Sequence, residues 1–139
     1  MKEISFLNSR MNAVSMKETV ALIKASIERG EFFQHVVVNV AKLVNMQKDK
    51  ILHDSVQACD LINIDGQGVV LGAKVCGYDI PERVAGVDLF HELLDMHPEE
   101  AFPVFSLGAI EPPVDQLHTK VERHTPTLKM AAINQGSFW

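Results

Sequence analysis

An α/β fold with a mostly parallel sheet follows from three features of this 139-residue chain. Short apolar runs of strand length recur along it. Segments with helical periodicity separate those runs. Strands alternating with helices at this pace imply βαβ crossovers. The expected arrangement is a single Rossmann-like domain over residues 1–139, with helices on both faces of the sheet.

Ser15-Met16-Lys17-Glu18 is a capping box, in which serine caps a helix and glutamate reaches back three residues later. Val20, Ile23 and Ile27 then recur at helical spacing and Gly30 supplies a stop, which predicts a helix over 16–29. His35-Val36-Val37-Val38-Asn39-Val40 is too short for a helix and reads as a strand buried on both faces. Residues 41–58 look helical, with a break near Asp49. Leu61-Ile62-Asn63-Ile64 is a second strand, and Gly68 to Val75 suits a helix ended by Gly77.

Tyr78 to Gly86 reads as a loop held open by Pro81 and Gly86. A short helix is expected from Asp88 to Met96 and a third buried strand over Pro103–Leu107, closed by Gly108. A helix over Val114–His124 and a strand over Leu128–Ile133 complete the pattern. No linker, low-complexity tract or internal repeat interrupts it.

Composition narrows the function classes. The chain is 47% hydrophobic and 22% charged, as a globular domain should be. Its formal charge of -5 argues against nucleic acid, which calls for a clustered basic surface. No apolar run is long enough to span a membrane, and the opening MKEISFLNSR lacks the apolar core of a signal peptide. Cys59 and Cys76 form neither a CxxC nor a zinc spacing and read as two buried cytoplasmic thiols. His91 and His97 lie six apart, as do His118 and His124, which is wrong for a metal pair on one helical face.

The stretch Asn63-Ile64-Asp65-Gly66-Gln67-Gly68-Val69-Val70-Leu71-Gly72 looks like a phosphate loop but fails the test. Leu71 occupies the place of the third glycine of a dinucleotide fingerprint, and no Gly-Lys-Ser/Thr follows. Ligands of open parallel sheets bind at the carboxyl ends of strands, where Asn39 and Asp65 both fall. Asp65 has two readings: the N-cap of the next helix, or a general base or sugar ligand at a strand tip. Gly66 and Gly68 would allow close approach of a ligand to the backbone, or serve as turn residues with positive φ.

The other candidates divide the same way. Asn39 could satisfy loose backbone groups at a strand end, and Lys42 reads as solvated. Arg83 is either an exposed charge or a fork for two oxygens of a diphosphate. Asp88 reads most simply as the N-cap of its helix. Ser106 lacks a GxSxG elbow and does not suggest a hydrolase.

Three blocks then resemble one family: Val38-Asn39-Val40-Ala41-Lys42-Leu43, Asp60-Leu61 through Asp65-Gly66-Gln67-Gly68-Val69-Val70, and Arg83-Val84-Ala85-Gly86-Val87-Asp88-Leu89. Phe105-Ser106-Leu107-Gly108 and Asn134-Gln135-Gly136-Ser137-Phe138 follow in the same order. From about residue 4 onward the chain is similar to the WecG/TagA/CpsF glycosyltransferases, glycosyltransferase family 26. The resemblance implies an inverting, Rossmann-like enzyme that uses no metal or other cofactor. The sugar would be of the N-acetylmannosamine type. It would move from a UDP-sugar donor to a polyprenyl-diphosphate-linked acceptor in cell-surface polysaccharide synthesis.

On the same resemblance, Asp65 would be the general base. Asn39 and the turn Asp65-Gly66-Gln67-Gly68 would line the substrate pocket, and Arg83 would sit near the phosphates. Asp88 and Gly108 complete the expected substrate-binding set. The family continues with further strands, helices and a basic tail. The chain therefore reads as C-terminally truncated and is expected to transfer sugar poorly or not at all. Its expected place is the cytoplasm, with peripheral contact at the inner membrane face in full-length members.

Two other readings compete. A nucleotide-binding oxidoreductase needs a glycine-rich turn after the first strand, and Phe6-Leu7-Asn8-Ser9-Arg10 does not supply one. A non-catalytic module would bind nucleotide, partner subunits or a second copy of itself, as a homo-oligomer, through an open sheet edge.

Overall fold

The computed structural model describes residues 1–100, 102–107 and 130–134. It is a mixed α/β structure with five helices and three two-stranded sheets among those residues. The chain divides into two compact units, Met1–Leu89 and Phe90–Trp139.

The first unit opens with a hairpin that the sequence did not announce. Strands β1 (Glu3–Phe6) and β2 (Ser9–Asn12) pair antiparallel around Leu7 and Asn8. Both turn residues have positive φ, 49° and 53°. A two-residue turn of this hand normally calls for Asn-Gly, and leucine tolerates it poorly. Side chains from later in the chain grip the turn instead. Gln47 Nε2 donates to the Leu7 carbonyl at 2.7 Å, and His53 Nε2 lies 3.0 Å from the Asn8 carbonyl.

Helix α1 (Met16–Arg29) forms as its capping box predicts. Ser15 accepts from the Glu18 amide, and the Glu18 carboxylate accepts from the Ser15 amide. Gly30 ends the helix in the left-handed region, φ 63°. The buried face of α1 is polar rather than apolar: Thr19 and Ser26 are buried, whereas Ile27 is 42% exposed.

Strand β3 (His35–Val38) is two residues shorter than expected, because Asn39 already caps α2 (Val40–Met46). It is also less covered than expected: only Val38 is fully buried, and His35, Val36 and Val37 are half-buried. The predicted break near Asp49 is real. Asp49 caps α3 (Lys50–Gln57) by accepting from the Leu52 amide at 3.0 Å.

Strand β4 (Leu61–Ile64) is buried throughout and pairs parallel with β3, Val38 opposite Ile64. Its other side is met by the Asn12 side chain, which accepts from the Ile62 amide at 2.8 Å. Val38, Leu43, Ile62, Ile64, Val69 and Ala73 then share the core with Ile4 and Met11 of the hairpin. Helix α4 (Gln67–Val75) follows β4 as predicted, and a loop leads to α5 (Gly86–Glu100), which starts two residues early and runs longer than expected.

In the second unit, β5 (Val104–Leu107) pairs parallel with β6 (Met130–Asn134). Phe105 is 58% exposed, so β5 is not the fully buried strand expected. The predicted helix over Val114–His124 lies outside the described residues.

A buried polar chain crosses the first unit. Asn63, fully buried in β4, donates to Thr19 Oγ1 at 2.9 Å and faces His35 Nε2 across 2.7 Å through its Oδ1. Burial lowers the His35 pKa, only partly offset by the Asn63 hydrogen bond. His53 shifts the other way, raised first by the Asn8 carbonyl and then by Asp54.

These shifts set opposite pH dependences. Below the ordinary histidine value of about 6.5, the unfolded chain binds more protons at His35 than the folded chain does, so acid removes stability. The His53 contribution is full below that value and is lost as the pH rises through its raised folded pKa. Urea unfolding followed across pH 5 to pH 9 is expected to show His35→Gln flattening the acid-side loss. His53→Gln is expected to flatten the alkaline-side loss, and either variant leaving its limb unchanged would refute the assignment.

Candidate active site

Two successive strand tips build the site. Because β3 and β4 are parallel and in register, Asn39 and Asp65 leave the sheet side by side. The Asp65 amide donates to the Val38 carbonyl at 2.8 Å and fixes the backbone where the second strand ends. The next residue, Gly66, has φ 113° and ψ 133°, a region that is essentially closed to side chains. A Cβ there would stand 3.9 Å from Asn39 Cβ.

Asp65 is not the helix cap. Gly66 occupies the N-cap position of α4, and no side chain caps it. The first amides of α4 therefore keep their hydrogen-bonding capacity, as anion-binding helix ends do. The Asp65 carboxylate turns to Arg83 instead, with Oδ1 3.6 Å from Nη1. Arg83 Nη2 lies 4.0 Å from Asp88 Oδ2. Both distances exceed a hydrogen bond and all three side chains meet solvent, so these pairs contribute little to stability.

What holds Arg83 in place is its loop. The Val84 amide donates to the Ile64 carbonyl at 2.8 Å, which sets Arg83 alongside Asp65. Ile80 and Val84 are buried, Lys2 Nζ donates to the Asp79 carbonyl at 2.9 Å, and Glu82 Oε1 accepts from the Met16 amide at 2.6 Å. A residue held by backbone and neighbours, yet only loosely ion-paired, can turn its guanidinium toward an incoming anion.

The remaining candidates fall out as follows. Asn39 spends its Oδ1 on the Lys42 amide at 2.9 Å, the modest structural role that was one of its two readings. Its Nδ2 has no partner among the described residues and stays exposed. Gln67 is the exposed first residue of α4. Gly68 is needed for a neighbouring helix: an added Cβ would come within 2.8 Å of Val40 Cγ2 on α2. Gly108 lies outside the described residues.

Four readings need correction. Of the two thiols, Cys59 is buried but Cys76 is exposed. Asp88 sits inside the first turn of α5, because the helix begins at Gly86, and so does not cap it from outside. Gly86 is thus a helical residue and not a loop hinge. Lys42 is not simply solvated; its Nζ donates to the Val37 carbonyl at 2.8 Å. Glu82 drew no notice in the sequence, because its partner Met16 is 66 residues away. Only its position beside Arg83 could have drawn attention to it.

A carboxylate, an arginine and a helix end without a side-chain cap gather at the carboxyl ends of parallel strands in an α/β protein. Sequence comparison makes this specific. The model of the glycosyl transferase WecG/TagA/CpsF family matches residues 4–139, and the chain belongs to that family. It is similar to an N-acetylglucosaminyldiphosphoundecaprenol N-acetyl-beta-D-mannosaminyltransferase of Bacillus spizizenii. The two are 34% identical over 79 residues, 57% of this chain and 31% of the relative. A protein of the same description from Bacillus subtilis is 28% identical over 89 residues, 64% of this chain and 35% of the relative. The matched segments thus span about a third of those relatives.

The two glycines give a structural test. Gly66→Ala is expected to cost about 1–3 kcal/mol in urea unfolding, since only glycine occupies that conformation without strain. Gly68→Ala is expected to cost about 1–3 kcal/mol by overpacking. Most of the Gly68→Ala loss should return in the Gly68→Ala/Val40→Ala double variant, and the Gly66→Ala loss should not. Simple additivity of the Gly68 and Val40 effects would show that the helices do not meet there.

Proposed function

We propose that this chain carries the donor and base machinery of an inverting glycosyltransferase. The reaction moves an N-acetylmannosamine-type sugar from a UDP donor to a sugar linked to polyprenyl diphosphate. The acceptor's chemistry is that named for the Bacillus relatives. The finer fold reading, a Rossmann-like sheet in one family domain over residues 1–139, belongs to the same proposal. It is supported by the parallel β3–β4 pair and by the helices that follow each strand tip.

The observation that carries the reading is the freedom of Asp65. It stands at a strand tip with its carboxylate spent on no backbone cap and 3.6 Å from a guanidinium. In the proposed step an acceptor hydroxyl oxygen attacks the anomeric carbon of the donor. The bond from that carbon to the UDP oxygen breaks, UDP leaves with the electron pair, and Asp65 takes the hydroxyl proton. Arg83 and the first amides of α4 would face the charge that grows on the diphosphate. Asn39 Nδ2, Gln67, Asp88 and Gly108 would contribute sugar and phosphate contacts.

The test pairs transfer with binding. Asp65→Asn is expected to reduce transfer by about 10²–10⁴-fold while leaving UDP affinity and the unfolding midpoint near those of the unsubstituted chain. Transfer and affinity would be measured on the same preparations, the latter by calorimetric titration with UDP and UDP-N-acetylmannosamine. Undiminished transfer by Asp65→Asn would remove the base assignment. Stronger binding of NAD than of UDP would overturn the donor.

A further inference from the structure

We infer that Glu82 is a positioning residue that sets Arg83 beside Asp65. The inference rests on the reading of Arg83 as the diphosphate contact. Arg83 is flanked on both sides by anchored residues, and the two anchors tie down different elements. Val84 hydrogen-bonds to β4 through its amide. Glu82 reaches the other way and accepts from the Met16 amide at 2.6 Å.

Met16 is the first residue of α1, and its amide is one that the helix leaves without an internal partner. Ser15 satisfies the Glu18 amide and leaves that of Met16 open to Glu82. A carboxylate at a helix N-terminus also meets the positive end of the helix dipole. Pro81 restricts Ile80 and stiffens the approach to Glu82. The Asp65 and Asp88 carboxylates stand at ion-pair distance only, so they do not fix the arginine. Besides the Lys2 bond to the Asp79 carbonyl upstream, the loop has one anchor on the sheet and one on α1, and Arg83 lies between these two.

A capping residue that mattered only to α1 would behave like Ser15. That equivalence is the control. Glu82→Ala, Glu82→Gln and Ser15→Ala would be compared in the 139-residue chain by two readouts: hydrogen exchange at the Val84 amide, and calorimetric UDP affinity. Glu82→Ala is expected to speed Val84 exchange about tenfold and to weaken UDP binding about tenfold, the scale of lost outer-shell partners. Glu82→Gln, which keeps the acceptor oxygen, should restore most of both. Ser15→Ala should lower the unfolding midpoint without either effect.

Equal changes in Ser15→Ala and Glu82→Ala would overturn the inference and leave Glu82 as a helix cap. So would faster Val84 exchange in Glu82→Ala with unchanged UDP affinity. Should the unsubstituted chain bind no UDP, the donor reading falls. Val84 exchange then decides the positioning alone: a selective rise in Glu82→Ala upholds it, and no selective rise defeats it.

Discussion

The site depends on one backbone hydrogen bond, from the Asp65 amide to the Val38 carbonyl, which closes the β3–β4 ladder at its ligand end. A parallel pair has a fixed register, and a slip of one residue would turn every side chain to the other face. With Val38 opposite Ile64, the two residues that follow the strands are neighbours by necessity. Asn39 then starts one helix and Gly66 another. A second backbone bond, from the Val84 amide to the Ile64 carbonyl, brings the Arg83 loop to the same strand.

The constraint is insulated from below. Leu61 to Ile64 are buried without exception, and the polar member, Asn63, has partners in Thr19 and His35. An unsatisfied amide at that depth would cost about 1–3 kcal/mol, so the network is a condition for the strand to sit where it does. Asn12 performs the equivalent service on the other edge by accepting the Ile62 amide. At Ile62 the Asn12 side chain thus takes the place that the carbonyl of a neighbouring strand would fill.

Much of the arrangement could be read from sequence where the physics is local. The capping box of α1, the Asp49 break and the apolar run 61–64 each depend on residues within a few positions. The placement of Asn39 and Asp65 at strand tips was legible too, since it follows from counting along the strands; that the two strands are neighbours was not. The hairpin was not, because Leu7-Asn8 lacks the glycine that usually marks such a turn. Of the two readings of Gly68, the turn with positive φ fails because the residue lies inside α4, and sequence does not show that Val40 lies against it. Glu82 and Lys42 were missed for a related reason: each spends its polar group on a backbone atom of another segment.

The Leu7-Asn8 turn has a consequence for the order of assembly. Its left-handed residues are unfavourable for a free chain, and the groups that secure their carbonyls come from Gln47 and His53, forty and forty-five residues later. Helix α1 carries its own start and stop signals, whereas this hairpin borrows its turn from α2 and α3. Loop-closure entropy must be met before such distant partners can help. The turn of the first two strands therefore gains its side-chain contacts only once α2 and α3 are in place.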